Sequence, residues 1–177
     1  MILSFIAIVC VSFAITLRIL HSNKYDFSAT STNGNITLQD LNGKYKIIYF
    51  GYTFCPDICP LTLGILKEAL DEIENNDFLV VFISLDPERD TPQILQEYVE
   101  FFYPNSLGLW LESNELQRVA KNYGIKYENI MLRDSAIDYS VAHSSALFLI
   151  DENGKFVGKI TNLTKEEIQD AIKKTIK

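Results

Sequence analysis

The sequence has few residues that bind soft metals or form disulfides. Its 177 residues include three cysteines and two histidines. A framework of several disulfides is therefore excluded, and a site built from thiols or imidazoles has few positions to use. Cys10 lies in the apolar N-terminal segment, where it is predicted to be one more apolar residue. The other two cysteines, Cys55 and Cys59, are four positions apart.

Positive charge is also scarce. Sixteen Lys and Arg stand against 23 Asp and Glu, which gives a formal net charge of −7. Nucleic acids and anionic lipid surfaces attract basic patches, so the composition predicts neither nucleic-acid binding nor electrostatic adhesion to a membrane. The length and apolar content suit one globular domain with an N-terminal appendage.

The N-terminal segment carries no charge from Ile2 to Leu17. Because Arg18 can extend its charge to the interface, residues 1–22 are predicted to be a membrane anchor, followed by a polar linker over 23–35. A cleaved signal peptide is the rival interpretation, but no basic region precedes the apolar run. Arg18 and Lys24 follow the run, and the positive-inside rule alone would place the domain in the cytoplasm.

The remaining chain, residues 36–177, alternates strand and helix patterns. Near-continuous apolar runs predict two buried strands, and a turn sequence at 151–154 predicts a hairpin. The predicted strands are 46–52, 78–85, 109–111, 146–150 and 155–160, and the predicted helices are 61–73, 92–102, 114–123 and one capped by Thr164 and Glu167. A β-α-β start followed by a hairpin and a final helix is the order of a thioredoxin-like α/β sheet flanked by helices.

The segment Cys55-Pro56-Asp57-Ile58-Cys59-Pro60 follows the first buried strand. Proline disfavours a helical preceding residue, so both cysteines are expected in extended or turn conformations, with a helix beginning near Pro60. The positive end of a helix favours thiolates, which suit either disulfide exchange or ligation of a soft metal. Two unrelated buried cysteines are the alternative, although such residues need neither flanking prolines nor a helix start.

His143 is the only histidine in the predicted domain, since His21 adjoins the anchor. Two thiolates and one imidazole form a trigonal site that holds copper in either oxidation state. A lone histidine is more often structural, but in a thioredoxin-like fold the segment before the 146–150 strand faces the cysteine loop. Thioredoxins place a cis-proline there, whereas this chain has no proline after Pro104, which argues against an ordinary oxidoreductase.

Three segments in order resemble the Sco/SenC family of copper-binding respiratory assembly proteins. They are 49–60 (YFGYTFCPDICP), 84–92 (SLDPERDTP) and His143-Ser144. The resemblance extends from about Ile36 to the C-terminus, and three spaced motifs are more specific than any one of them. It implies a membrane-tethered domain that binds copper through Cys55, Cys59 and His143.

The resemblance further implies a copper chaperone, rather than a turnover enzyme, that serves the dinuclear copper site of cytochrome c oxidase subunit II. Its copper would come from an upstream donor. Its domain would face the periplasm from a bacterial inner membrane, with the intermembrane-space side of the mitochondrial inner membrane as the alternative. Asp86 and Asp90 correspond to the family's acidic pair, which implies an influence on copper loading or partner contact. Asp90 has an ordinary alternative as a helix N-cap. Met131 is expected to pack in the core or a loop.

Two other functions stay open at this point. A membrane-tethered thiol-disulfide reductase could keep the oxidase's copper-ligand cysteines reduced with the same redox-active pair, Cys55 and Cys59. Copper binding and disulfide formation exclude each other on these sulfurs, so the redox poise would select between them. A copper or redox sensor is the third possibility, but the sequence offers no output domain.

Overall fold

The computed structural model describes residues 23–73, 78–132 and 138–175. The predicted anchor, 1–22, lies outside these ranges, together with Cys10 and His21. Within them, none of the helices has both the length and the apolar character needed to cross a bilayer. The described residues form nine strands and four α-helices. The strands are β1 Ser28–Ser31, β2 Gly34–Thr37, β3 Tyr45–Gly51, β4 Phe78–Ser84, β5 Ser106–Leu109, β6 Tyr127–Met131, β7 Tyr139–His143, β8 Leu147–Ile150 and β9 Phe156–Ile160, and the helices are α1 Ile58–Asp71, α2 Pro92–Phe102, α3 Ser113–Tyr123 and α4 Lys165–Thr175.

Five strands form the central mixed sheet in the order β5-β4-β3-β8-β9. β3, β4 and β5 are parallel, while β8 and β9 are antiparallel to their neighbours. β3 and β4 are buried along almost their whole length, which explains their near-continuous apolar sequence. The α/β class and the central mixed sheet are therefore confirmed. β5 is displaced from the predicted 109–111 strand and ends where that prediction began.

Local signals in the sequence set the helix ends. Thr91 caps α2 by accepting a hydrogen bond from the Ile94 N–H at 3.3 Å, and Pro92 occupies the first turn. α3 ends at Gly124, whose φ of 69° is left-handed, as predicted. At the start of α4, the hydroxyl of Thr164 accepts from the backbone N–H of Glu167 at 3.4 Å.

Helices cover both faces of the sheet. On one face, α1 contacts both α2 and α4, and Gly51 at the end of β3 lies directly under α1. On the other face, Phe50 packs against Tyr123 of α3 and Phe148 of β8, with ring centroids 5.2 and 5.8 Å apart. The core therefore surrounds β3, and the chain leaves this strand toward the cysteines.

The segment predicted as a linker, 23–35, contains β1 and the beginning of β2. Phe27 and Ala29 are buried, and Thr30 forms an antiparallel bridge with Trp110 beyond β5. This hairpin is thus part of the folded unit, because its few apolar side chains complete the core. Its polar composition resembles that of a linker.

A second hairpin, β6–β7, is absent from the sequence-based prediction. It forms a separate two-stranded sheet in which Tyr127 pairs with His143 and Met131 pairs with Tyr139. Most of β6 is exposed, so its sequence carries a weak strand pattern. His143 is consequently the last residue of a strand rather than part of a loop. Met131 is 71% exposed on β6, which corrects the expectation that it packs in the core or a loop.

Candidate metal centre

Cys55, Cys59 and His143 meet at the end of the sheet. One sulfur from each cysteine and one ring nitrogen of the histidine all lie within 4.8 Å of one another. Both cysteines are buried free thiols, and His143 is half-buried. Three residues separated by as many as 88 positions thus form one cluster of sulfur and nitrogen donor atoms.

The first turn of α1 positions the two cysteines. The helix begins at Ile58, two residues before Pro60, so Cys59 is helical, which corrects the expectation that it is extended or in a turn. Pro60 is compatible with this position because the first turn of a helix needs no N–H from it. Cys55 precedes the helix, and its sulfur accepts a hydrogen bond from the Cys59 backbone N–H at 3.4 Å. The predicted placement of a sulfur at a helix N-terminus is therefore present for Cys55.

His143 is oriented with one nitrogen toward the sulfurs. Its Nδ1 lies 3.2 Å from the carbonyl oxygen of Ser144, which can only accept, so the proton belongs on Nδ1. The other nitrogen, Nε2, is then an acceptor and lies 3.6 Å from the Cys59 sulfur. Burial lowers the pKa of His143 below its ordinary value, which favours the neutral imidazole that a metal requires.

Cys59 is fully buried, and this burial opposes the effect of the helix. Burial raises the pKa of its thiol to about 12, with the proximity of Cys55 adding to the rise. The expectation that the helix N-terminus favours a thiolate is thus wrong for Cys59 in the metal-free protein, because desolvation of the anion outweighs the helix dipole. The protonated thiol is instead placed to donate to Nε2 of His143.

Two β3 residues that the sequence interpretation did not identify shape the space around Cys59. A Cβ at Gly51 would lie 2.9 Å from the Cys59 sulfur and 2.8 Å from the Phe82 ring, so only glycine leaves room there. Tyr49 is fully buried, and its hydroxyl lies 3.2 Å from the Ser145 hydroxyl, two residues beyond His143. A glycine that ends a buried strand is the signal that predicts such a close approach.

Asp90 forms hydrogen bonds that hold the start of the cysteine loop, and it is not the N-cap of α2. Its carboxylate accepts hydrogen bonds from the hydroxyls of Thr53 and Ser84, both at 2.5 Å, whereas Thr91 caps α2. Asp90 is 2% exposed, and this burial raises the pKa of its carboxyl group. Because Thr53 lies two residues before Cys55, the carboxylate fixes the start of the loop.

Asp86 also lies outside the group of donor atoms. It is 3% exposed and accepts hydrogen bonds from Arg89 at 2.5 Å and from the Tyr139 hydroxyl at 2.7 Å. In this conformation neither Asp86 nor Asp90 offers a surface for direct partner contact. Exposed apolar side chains do surround the cysteine loop: Phe54, Ile58 and Leu61 are 47%, 41% and 54% exposed.

Fold and site together define a class: a thioredoxin-like α/β domain with a soft-donor site of two cysteines and one histidine at the end of its sheet. The SCO1/SenC family matches residues 20–177. The chain belongs to this family, as its three motifs predicted.

Relatives and solved structures agree with this assignment. The chain is 38% identical over 135 residues to an SCO2-like protein of Rickettsia felis, and 40% identical over 158 residues to the mitochondrial SCO1 homolog 1 of Arabidopsis thaliana. These alignments cover 75% and 85% of this chain but 66% and 46% of the relatives, so the chain spans less than two thirds of their length. The crystal structure of Arabidopsis ScoI with copper bound is 40% identical, with a TM-score of 0.78 over 85% of this chain and 96% of that one.

Proposed function

We propose that this protein is a copper chaperone that holds one copper ion through Cys55, Cys59 and His143. The observation that carries the proposal is the convergence of these three donor groups within 4.8 Å. The relative from Arabidopsis with a TM-score of 0.78 was solved with copper bound, which supports the choice of metal. Copper is the cargo here, and the protein's part is to bind it selectively and release it to a partner.

The donor set fits copper in both oxidation states. Two sulfurs suit the soft monovalent ion, while the neutral imidazole adds the harder donor that divalent copper needs. The Nδ1 contact with Ser144 fixes the ring so that the lone pair of Nε2 faces the sulfurs. Ligation requires each cysteine as a thiolate, so copper must displace the proton of the Cys59 thiol.

Sco proteins take part in cytochrome c oxidase assembly. We infer that the recipient is the dinuclear copper site of oxidase subunit II and that an upstream donor supplies the copper. The exposed apolar residues around the cysteine loop, Phe54, Ile58 and Leu61, offer a surface for such a transfer. No role in nucleic-acid binding is proposed, given the net charge of −7.

The charge-free N-terminal run and the relatives support a proposal for the location of the protein. We propose that residues 1–22 anchor the protein in a membrane and that the copper domain faces the periplasm, or the intermembrane space if the protein is mitochondrial. The matched relatives include a mitochondrial protein of Arabidopsis and a protein of the bacterium Rickettsia felis. The folded domain then begins before Ile36, since Phe27 and Ala29 are in the core.

A thiol-disulfide reductase is the second candidate function. One observation favours it: Cys55 and Cys59 are both free and near each other, with the Cys55 sulfur accepting the Cys59 N–H. A disulfide could form after a small movement of the loop and would exclude copper. This activity needs the two sulfurs but does not need His143.

Complementation of a strain that lacks its own Sco protein separates the two functions. A copper chaperone predicts that His143→Ala and Cys55→Ser both fail to restore oxidase activity, while the matched controls His21→Ala and Cys10→Ser restore it. A reductase predicts that His143→Ala restores activity and Cys55→Ser does not. Normal restoration by Cys55→Ser would contradict both functions.

A further inference from the structure

The β6–β7 hairpin holds His143 but pairs with no other strand among the described residues. A two-stranded hairpin is marginally stable in water without support from other elements. At the His143 end, the Ser144 N–H donates to the Lys126 carbonyl at 2.9 Å, and the Lys126 N–H donates to the Ser144 hydroxyl at 3.1 Å. Both bonds join the two hairpin strands to each other, so neither connects the hairpin to the core.

A charged side chain joins the hairpin to the core at the other end of β7. Tyr139, Val141 and His143 alternate along the strand and therefore share one face, with Val141 buried. Arg89 donates from Nη1 to the Tyr139 carbonyl at 2.9 Å, and its guanidinium lies 3.8 Å from the centre of the Tyr139 ring. Cation–π attraction and a charge-assisted hydrogen bond thus act on the same residue.

Asp86 closes this arrangement. It accepts from Nε of Arg89 at 2.5 Å and from the Tyr139 hydroxyl at 2.7 Å, and the bond from Arg89 to the Tyr139 carbonyl completes a ring of three residues. Asp86 and Arg89 follow β4, an inner strand that pairs with both β3 and β5. The ring therefore connects the hairpin to the rigid core.

Arg89 also reaches the cysteine loop. Its guanidinium lies 5.0 Å from the Phe54 ring and 5.9 Å from the Tyr52 ring, and the Tyr52 ring meets the His143 imidazole edge-on with centroids 6.1 Å apart. The same cation thus contacts the hairpin, the core turn and the segment that leads into Cys55.

We propose that Asp86, Arg89 and Tyr139 form a latch that positions His143 over the two sulfurs. The latch acts at a distance, because Tyr139 lies four residues, about 13 Å, from His143 along the strand. It contacts no copper ligand directly. It sets the orientation of β7 relative to the central sheet. The inference rests on the proposed copper site. It assigns to these three residues the role of orienting His143, although none of them binds copper.

The test uses the full-length protein with divalent copper and the Arg89→Met variant, which keeps an apolar stem against the rings and removes the charge. Replacing a group that hydrogen-bonds a metal ligand typically lowers metal affinity by about 10-fold to 100-fold. Because the latch acts on His143 through β7, a loss at the lower end of this range is expected. In the His143→Ala background the same substitution should cause no further loss. Amide hydrogen exchange in the metal-free protein should become faster in β7.

Arg118→Met is the matched control. Arg118 pairs with Glu115 three residues earlier and donates to the Asp26 carbonyl at 2.8 Å, so it repeats the bonding of Arg89 in another part of the fold. Its replacement should leave copper affinity and exchange in β7 unchanged. Should Arg89→Met fail to fold, Tyr139→Phe removes a single hydroxyl and is expected to weaken divalent copper binding by roughly fivefold.

The outcomes separate the latch from the copper site. Unchanged affinity in His143→Ala would overturn the proposed ligand set and the latch with it. Weak binding by His143→Ala together with full affinity in folded Arg89→Met and Tyr139→Phe would overturn the latch alone. Equal losses from Arg89→Met with and without His143 would also overturn it, because the effect would then not act through the histidine.

Discussion

Copper affinity is expected to rise with pH, because copper must displace the proton of a buried thiol. The pKa of Cys59 is raised to about 12, chiefly by burial. The thiol is therefore protonated throughout the working range, and each copper ion bound releases this proton. His143 adds no proton above pH 7, since burial lowers the pKa of its imidazole below the ordinary value.

The contribution of Cys59 to the pH dependence of copper affinity follows from the release of this one proton. Displacing one proton strengthens apparent binding by about tenfold for each pH unit while the group stays protonated. An ordinary thiol with a pKa of 9.0 would stop contributing above that pH, whereas Cys59 should continue toward pH 10 and beyond. The rise in pKa from 9.0 to about 12 corresponds to about 4 kcal/mol of added cost for forming the thiolate.

The assay is a competition titration of monovalent copper against a chelator of known pH dependence, under reducing conditions between pH 7 and 10. A direct control uses the Cys55→Ser, Cys10→Ser double variant, in which Cys59 is the remaining thiol. Its Cβ chemical shift should show no ionisation below pH 10. An affinity that does not change with pH, or a Cys59 titration centred at or below 9.0, would refute the reasoning.

Three further predictions concern the site loop, its support and the N-terminus. Gly51→Ala is expected to lower the free energy of unfolding in urea by about 1 to 3 kcal/mol and to weaken copper binding, because the Cβ of the alanine would crowd the Cys59 sulfur. Wild-type stability together with wild-type copper affinity would contradict this. Burial raises the pKa of Asp90, so its contribution to stability should be largest below the ordinary pKa of 3.8 and should decline as the pH rises through the raised value. The free energy of unfolding of Asp90→Asn, relative to that of the wild type, should therefore be higher at pH 7 than at pH 4. A difference that does not change with pH would count against this prediction. The full chain should fractionate with membranes and a chain without residues 1–22 should be soluble and folded; a soluble full-length protein would exclude the anchor.

The central sheet could be predicted because the burial of its strands is visible in consecutive residues of the sequence. β3 and β4 are buried on both faces, so each appears in the sequence as a single apolar run. The cysteine pair was identifiable for a similar reason, since a strand end, two prolines and a helix start are consecutive in the sequence. His143 could be chosen because the predicted domain has no other histidine.

The hairpins β1–β2 and β6–β7, and the balance between burial and the helix dipole at Cys59, required the structure. β1 is stabilised by a bridge to Trp110, about 80 residues away, which no local pattern indicates. Most of β6 is exposed, so alternation in its sequence is weak. The pKa of Cys59 depends on how closely β3 packs under α1 at Gly51, and only the three-dimensional packing shows that desolvation outweighs the helix N-terminus.

X-ray absorption at the copper edge tests the central claim most directly. The full-length protein loaded with one equivalent of divalent copper is predicted to show two sulfur scatterers and one imidazole around the metal. The imidazole signal should disappear in His143→Ala, and one sulfur should disappear in Cys55→Ser or Cys59→Ser. A copper shell of oxygen and nitrogen alone in the wild-type protein, or an unchanged spectrum in His143→Ala, would contradict the account.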